Sequence, residues 1–282
     1  MNETIAFDIG ATNSRIAFFE NGKLTWKNQA STPAREGPQA FVDMMENLCL
    51  PLPQRDAPVG VAIAATVIEG RVTAHNSDVL PDWNDFPLET VLSERLRRPV
   101  RVVNDARAAA WGEFIHGAGR GCDEFLFVTV STGVGAGVVL NRRLHLAHNG
   151  FDAELGETRA ASGGTLEEHA SGTALGRLAA EHGYVNGKAL CDAADSGDAA
   201  AERLYRHGIT ELASKLADLA VMLGIQRAAI GGSVGLRIGY VERLREALAQ
   251  LPSMYRVELT RAELDHDAGL HGAASLASER II

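Results

Sequence analysis

Residues 124–144 read EFLFVTVSTGVGAGVVLNRRL: an apolar run of strand length, a glycine-rich turn, a second apolar run, an Asn-led turn and a third short strand. The chain opens in the same order. TIAFDI (4–9), SRIAFFE (14–20) and KLTWK (23–27) read as three strands, with Asn21-Gly22 as a strong hairpin turn between the second and third. An offset of 120 positions sets Phe7 on Phe127, Thr12 on Thr132, Asn21 on Asn141, Lys23 on Arg143 and Leu24 on Leu144. Repetition of a whole strand-turn-strand unit predicts two related domains, each a mixed sheet with helices packed on it.

Between the two blocks, apolar residues recur at helical spacing at Phe41, Met44, Met45 and Leu48. A strand follows at Val59–Ala65, then a helix at Leu88–Leu96 and a strand at Val100–Val103. No Pro/Gly/Ser-rich linker separates the halves, so the join falls on a helix or short loop near residue 115. The expected division is 1–115 and 116–267, with a helix over about 268–282 packing back on the first domain.

Composition narrows the function. The chain has 282 residues, 46% of them hydrophobic, enough for a full-sized core. Its 36 acidic and 27 basic residues give a formal net charge of -9, which argues against a broad nucleic-acid or anionic-membrane surface. Three cysteines, Cys49, Cys122 and Cys191, stand far apart with no CxxC pair, which argues against a disulfide framework or a thiolate zinc site. No leader pattern or bilayer-length apolar run is present, and a cytoplasmic location is expected.

The first turn, FDIGATNSR (7–15), sends a strand into a carboxylate, a glycine and then hydroxyls and an amide. Gly10, Thr12, Asn13 and Ser14 can wrap phosphate oxygens. Asp8 would repel them unless magnesium, engaged through water, lay between. The other reading has Asp8 and Thr12 merely closing a turn. In the second turn, Ser131, Thr132, Gly133, Gly135 and Gly137 place three glycines at alternate positions, which exposes backbone as a polyphosphate requires. A β-bulge accounts for one glycine better than for three. Neither turn has the spacing of a P-loop or a dinucleotide fingerprint. Between the turns, VRVVNDARAAAWGEF (100–114) delivers Asn104 and Asp105 into an alanine-rich helix. Asp105 is either a helix-capping carboxylate or a base that takes a proton from a substrate hydroxyl.

The series DIGATN, NDARAAAWGEF, VSTGVGAGVV, AELGE and AIGGSVGL, in this order over nearly the whole chain, resembles the ROK family of sugar kinases within the actin-like ATPase superfamily. The resemblance implies an α/β fold of two ribonuclease H-like domains with duplicated mixed sheets flanked by helices. ATP would lie in the interdomain cleft, and the γ-phosphoryl group would pass to the C6 hydroxyl of a hexose. Asp8, Gly10, Thr12 and Asn13 match the first phosphate hairpin, with Asp8 on Mg2+; Ser131, Thr132, Gly133 and Gly135 match the second. Gly231, Gly232 and Ser233 match the nucleotide loop. Asp105 matches the catalytic base, and Asn76, Asn104, Glu154 and Glu167 match sugar contacts.

Many members carry a GEIGH-type segment and a cysteine cluster that bind a structural zinc. Here AELGE puts Glu157 where that histidine would stand, and no cysteine follows, so no zinc is expected. Glu157 becomes a further candidate for the sugar. N-acetylmannosamine, N-acetylglucosamine, glucose and mannose are the candidate substrates. The family also implies a homodimer. It contains sugar-sensing repressors as well, but the first hairpin here begins at Asp8, and no DNA-binding headpiece is expected. A nucleotide-dependent structural protein of the actin-like kind would need only the hairpins, and the matches at Asn104, Asp105, Glu154 and Glu167 argue against it.

Overall fold

The computed structural model describes residues 3–10, 12–52, 56–74 and 81–279. They form two compact units. The first comprises the described residues of 1–116, 146–152 and 267–282; the second comprises 117–145 and 153–266.

In the first unit, strands β1 (Glu3–Ile9), β2 (Asn13–Glu20) and β3 (Lys23–Ser31) form an antiparallel meander. Helix α1 (Gly37–Cys49) leads to β4 (Val59–Ile63) and a small hairpin, β5 (Thr66–Ile68) and β6 (Arg71–Thr73). Helix α2 (Leu88–Leu96), β7 (Val100–Asn104) and α3 (Asp105–His116) follow. The sheet order is β3-β2-β1-β4-β7, with β1, β4 and β7 parallel. The core of this unit includes Ile5, Phe7, Ile16 and Val61 from the sheet and Phe41 and Met45 from α1.

The second unit repeats this plan. Strands β8 (Phe125–Val130), β9 (Val134–Leu140) and β10 (Arg143–Leu144) form the meander, and β11 (Arg227–Gly231) and β12 (Glu258–Arg261) add the parallel strands in the order β10-β9-β8-β11-β12. Counted within each five-stranded sheet, the two orders are the same. The helices here are α4 (Glu167–Ala170), α5 (Gly172–Glu181), α6 (Gly187–Asp195), α7 (Ala199–Leu223), α8 (Gly232–Gly235) and α9 (Tyr240–Ala249). The separate core includes Leu126, Val128, Leu212, Leu216, Ile230 and Leu244.

The repeat reaches the backbone of the turns. Asn21 and Gly22 take φ of 51° and 76°, and Asn141 and Arg142 take 49° and 62°. Both pairs lie in the left-handed region that a two-residue hairpin loop requires. Arg142 shows that a non-glycine residue fills the second position when the meander on either side demands the turn. The β5–β6 hairpin, which the sequence reading missed, turns the same way at Glu69 and Gly70, with φ of 49° and 74°. The strand expected over Val59–Ala65 stops at Ile63, because Ala65 donates its N–H to the Ile63 carbonyl and begins a turn.

The last helix, Ala268–Ser278, belongs to the first unit and packs against α3, β4 and β1. It crosses α3 backbone to backbone. A Cβ on Gly272 would lie 1.6 Å from the Ala108 carbonyl oxygen, and one on Gly112 would lie 2.3 Å from that of Ala268. Gly272→Ala is therefore expected to cost about 3 kcal/mol of stability, read as a shift of the urea unfolding midpoint.

Residues 146–152 were expected with the second domain and lie in the first unit. Arg107 on α3 is the physical reason. Its Nε donates to Asp152 Oδ2 at 2.9 Å and its Nη2 donates to the Asp152 and Gly150 carbonyls, with both side chains of the ion pair 4% exposed. A guanidinium buried this deeply has to be paired. No described helix is long and apolar enough to cross a membrane.

Candidate active site

β1 and β2 deliver the first polar turn. Gly10 donates its N–H to the Asn13 carbonyl at 3.2 Å, and Thr32, beyond β3, locks the turn from outside. The Thr32 hydroxyl donates to the Gly10 carbonyl at 2.7 Å and lies 2.9 Å from Ser14 Oγ, while its N–H donates to the Thr12 carbonyl at 2.9 Å. Thr12 and Asn13 stay exposed at the tip. Thr32 is a turn-closing residue that sequence spacing could not reveal.

Asp8 faces Arg15 across the β1–β2 ladder, and the two form an ion pair. Its carboxylate is 18% exposed, and the first turn of the last helix passes it at Gly269, where a Cβ would sit 3.5 Å away. The donor chemistry fits a hard divalent cation: Asp8 is an accessible carboxylate beside a second, Asp105.

Asp105 stands where β7 becomes α3. The cap of that helix falls to Asn104, whose Oδ1 accepts the N–H groups of Ala106 at 3.0 Å and Arg107 at 3.2 Å, while its Nδ2 donates to the Ala65 carbonyl at 3.2 Å. The cap relieves Asp105 of that task. Asp105 accepts the neighbouring Ala106 N–H through Oδ1, at 2.8 Å. Burial, reinforced by the charge of Asp8, pushes its carboxyl up to about 6, against the opposing pull of the Ala106 and Asp105 N–H groups and of Arg107. A carboxylate tuned toward neutrality suits proton transfer at physiological pH.

The second unit gathers the other candidates. Ser131 closes its turn by donating its N–H to the Gly133 carbonyl at 2.9 Å. The turn is pinned by the start of α5: Gly172 N–H donates to the Ser131 carbonyl at 2.7 Å, and Thr173 donates through N–H at 3.2 Å and through its hydroxyl at 2.8 Å to the Thr132 carbonyl. Ser131 Oγ lies 3.4 Å from Ser233 Oγ, so the glycine-rich hairpin and the Gly231-Gly232-Ser233 segment, where β11 becomes α8, are neighbours. Gly232 takes φ of 82° and passes so close to β8 that a Cβ would lie 2.4 Å from the Val130 carbonyl oxygen. Gly135 sits in β9 opposite Thr129. Ser233 also opens on a cavity of about 660 Å³ lined by Leu236, Arg237, Ile238 and Arg261.

Glu167 is wedged behind the hairpin. Its Oε2 accepts the Val134 N–H at 2.8 Å, and a Cβ on Gly133 would lie 2.4 Å from that oxygen. Gly156, in the short 3₁₀ turn Leu155–Glu157, flanks the same carboxylate. Glu154 precedes that turn, partly buried, and Glu157 ends it, exposed. Asn76 lies outside the described residues.

The loop after Glu157 is held by side chains that sequence reading did not single out. Glu211 on α7, 7% exposed, accepts the N–H groups of Ala161 at 2.9 Å and Ser162 at 3.1 Å. Burial would raise its carboxyl, but the hydrogen bonds from Ser162 and Ala161 and the nearby His207 outweigh it, and the group is held below its ordinary value. His169 Nε2 lies 2.6 Å from the Gly163 carbonyl, which can only accept, so that nitrogen carries the proton. His169 Nδ1 then accepts from His207 Nε2 at 3.2 Å. Among the described residues, no three His, Cys, Asp or Glu side chains gather so as to hold a metal ion. Glu211→Ala is expected to lower stability by about 2 kcal/mol and to speed amide exchange at Ala161 and Ser162.

Comparison with known proteins places this geometry in a class. The chain belongs to the ROK family, whose model matches residues 4–280, and it has the family's actin-like ATPase fold. Among curated relatives, the N-acetylmannosamine kinase of Yersinia pestis strain Pestoides F is 36% identical over 287 residues, covering 97% of this chain and 98% of the relative. Among solved structures, the ROK hexokinase from Thermus thermophilus aligns with a TM-score of 0.86 and 30% identity, over 98% of this chain and 97% of that one. The ROK family glucokinase from Streptomyces griseus, in complex with glucose and AMPPNP, aligns with a TM-score of 0.82 and 28% identity, over 98% and 99% of the two chains.

Proposed function

We propose that this protein is an ATP-dependent kinase that phosphorylates the C6 hydroxyl of N-acetylmannosamine in sialic acid catabolism. Its class as a hexose kinase follows from the family and from relatives aligned over nearly the whole chain. The observation that carries the chemistry is Asp105, a carboxylate relieved of the helix cap by Asn104 and raised to about 6.

In this reading Asp105 takes the proton of the sugar hydroxyl as its oxygen bonds the γ-phosphorus and the bond to the ADP oxygen breaks. Asn104 keeps the base aimed by holding the first turn of α3. Glu154, Glu157 and Glu167 bind sugar hydroxyls. Thr12 and Asn13 from one hairpin, and Ser131, Thr132 and Gly133 from the other, hold phosphate oxygens. Ser233 and the 660 Å³ cavity beside it are of a size to take the nucleoside. Magnesium, held by Asp8 through water, neutralises the polyphosphate when bound. A cytoplasmic location, where free sugar and ATP are at hand, and a homodimer belong to the same proposal.

The Thermus hexokinase and Streptomyces glucokinase likenesses sustain a second reading in which the sugar is another hexose. The test is ADP release with Mg-ATP against N-acetylmannosamine, N-acetylglucosamine, glucose and mannose. Selective turnover of N-acetylmannosamine supports the proposal, preference for another hexose selects the second reading, and no stimulation by any of them overturns both.

A further inference from the structure

The loop that joins Glu157 to Glu167 folds back on itself. Leu166 donates its N–H to the Thr158 carbonyl at 2.8 Å, Ala160 donates to the Gly164 carbonyl at 3.1 Å, and Arg159 and Thr165 form a bridge between them. Gly163 and Gly164 turn the tip, with φ of 93° and 73°. The result is a short antiparallel finger with Glu157 at one side of its base and Glu167, the first residue of α4, at the other. His169, on the same short helix, reaches back to the tip. Its Nε2–H donates to the Gly163 carbonyl at 2.6 Å, and its Nδ1 accepts from His207 at 3.2 Å, the two rings meeting edge to face at 5.1 Å and 79°. The second ring therefore fixes the direction of the first. α7 passes α4 without slack: a Cβ on Gly208, beside His207, would lie 2.3 Å from the His169 carbonyl oxygen. Glu211 binds the tip to α7, whereas His169 binds it to the helix that starts at Glu167. His169 is half-buried and His207 exposed, so the pair does little for the core.

We propose that His169, held in orientation by His207, is a positioning residue for the sugar. It makes the finger and α4 one body, so that Glu157 keeps a fixed place relative to Glu167. Glu167 is already pinned through the Val134 N–H, and the finger carries that reference across to Glu157 by way of Thr158, whose carbonyl it holds. Two carboxylates that bind hydroxyls of one sugar ring have to keep their spacing, because a hydrogen bond weakens steeply as its distance and angle depart from the optimum. The inference rests on reading Glu157 and Glu167 as sugar ligands.

His169→Asn and His169→Gln separate this role from simple bracing. The asparagine amide is too short to reach Gly163, while the glutamine amide extends as far as Nε2 and can still donate to that carbonyl. In the Asn variant the KM for sugar is expected to rise about fivefold, with kcat and the KM for ATP changed less than about twofold. Amide exchange at Gly163 and Gly164 should quicken in the same variant. The Gln variant should recover most of both. In a Glu157→Ala background, His169→Asn should add little to the KM for sugar, since the carboxylate it places has gone. An unchanged KM for sugar in the Asn variant, an equal rise in the Gln variant, a parallel rise in the KM for ATP, or a full further rise in the Glu157→Ala background overturns the role of His169. If the unaltered protein turns over no sugar, the kinase reading falls and this role with it; amide exchange then still reports whether His169 holds the tip, so the two failures are distinguishable.

Discussion

Asp105→Asn is expected to lower turnover by about 10²- to 10⁴-fold, the range that positioned general-base catalysis contributes. Asparagine keeps the size of the side chain and an acceptor for the Ala106 N–H, so the start of α3 survives. Sugar affinity should change little. Stability should hold or rise: a carboxyl raised to about 6 in the fold is disfavoured in its ionised form there, and neutral asparagine removes that penalty at neutral pH. A melting temperature at pH 7.5 no lower than that of the unaltered protein, with turnover down at least about 10²-fold, is the expected pair of results. The same carboxyl fixes the pH profile. A base must be ionised to act, so kcat/KM should fall as pH drops through about 6, and that limb should vanish in the Asn variant. Unchanged turnover would remove Asp105 from the chemistry.

Glu167→Ala should have the next largest effect, about 10²-fold on kcat/KM, because two functions are lost together. The Val134 N–H loses its acceptor, and space opens where Gly133 and Gly156 had made room for the carboxylate. The glycine-rich hairpin is then free to shift, and the KM for ATP should rise. Glu167→Gln separates the parts. Its amide oxygen can still accept the Val134 N–H, while its amide nitrogen offers a donor in place of the second carboxylate oxygen. ATP affinity should stay near that of the unaltered protein, and the KM for sugar should rise alone. If both constants move together in the Gln variant, Glu167 serves the hairpin and not the sugar.

Local signals made much of this fold legible. Asn21-Gly22 and the Asn-led turn at Asn141 mark hairpins wherever alternating apolar runs flank them, and their spacing exposed the duplication. The β5–β6 hairpin escaped because TVI and RVT are too short to show alternation around Glu69-Gly70. At the site, the sequence could place Asn104 and Asp105 at the start of a helix but not say which of them caps it, since both residue types do so; the hydrogen bonds assign the cap to Asn104. Thr32, Thr173, Glu211 and His207 were beyond reach for another reason. Each acts on a segment 18 to 50 residues away, as Thr32 does on Ser14 and Glu211 on Ala161, and nothing in the local pattern encodes such partners.

The chain path through the first unit sets an order on its assembly during synthesis. Residues 1–116 emerge first, but the clamp on Arg107 comes from Gly150 and Asp152, and the surface of α3 at Gly112 is covered only by the last helix. Until residues 268–278 leave the ribosome, α3 keeps an open groove along Ala108 and Gly112, and the helix that carries Asp105 lacks its main support. The core of the second unit lies wholly upstream of residue 267 and can close sooner. Asp105 therefore reaches its final setting only after residues 268–278 have been made.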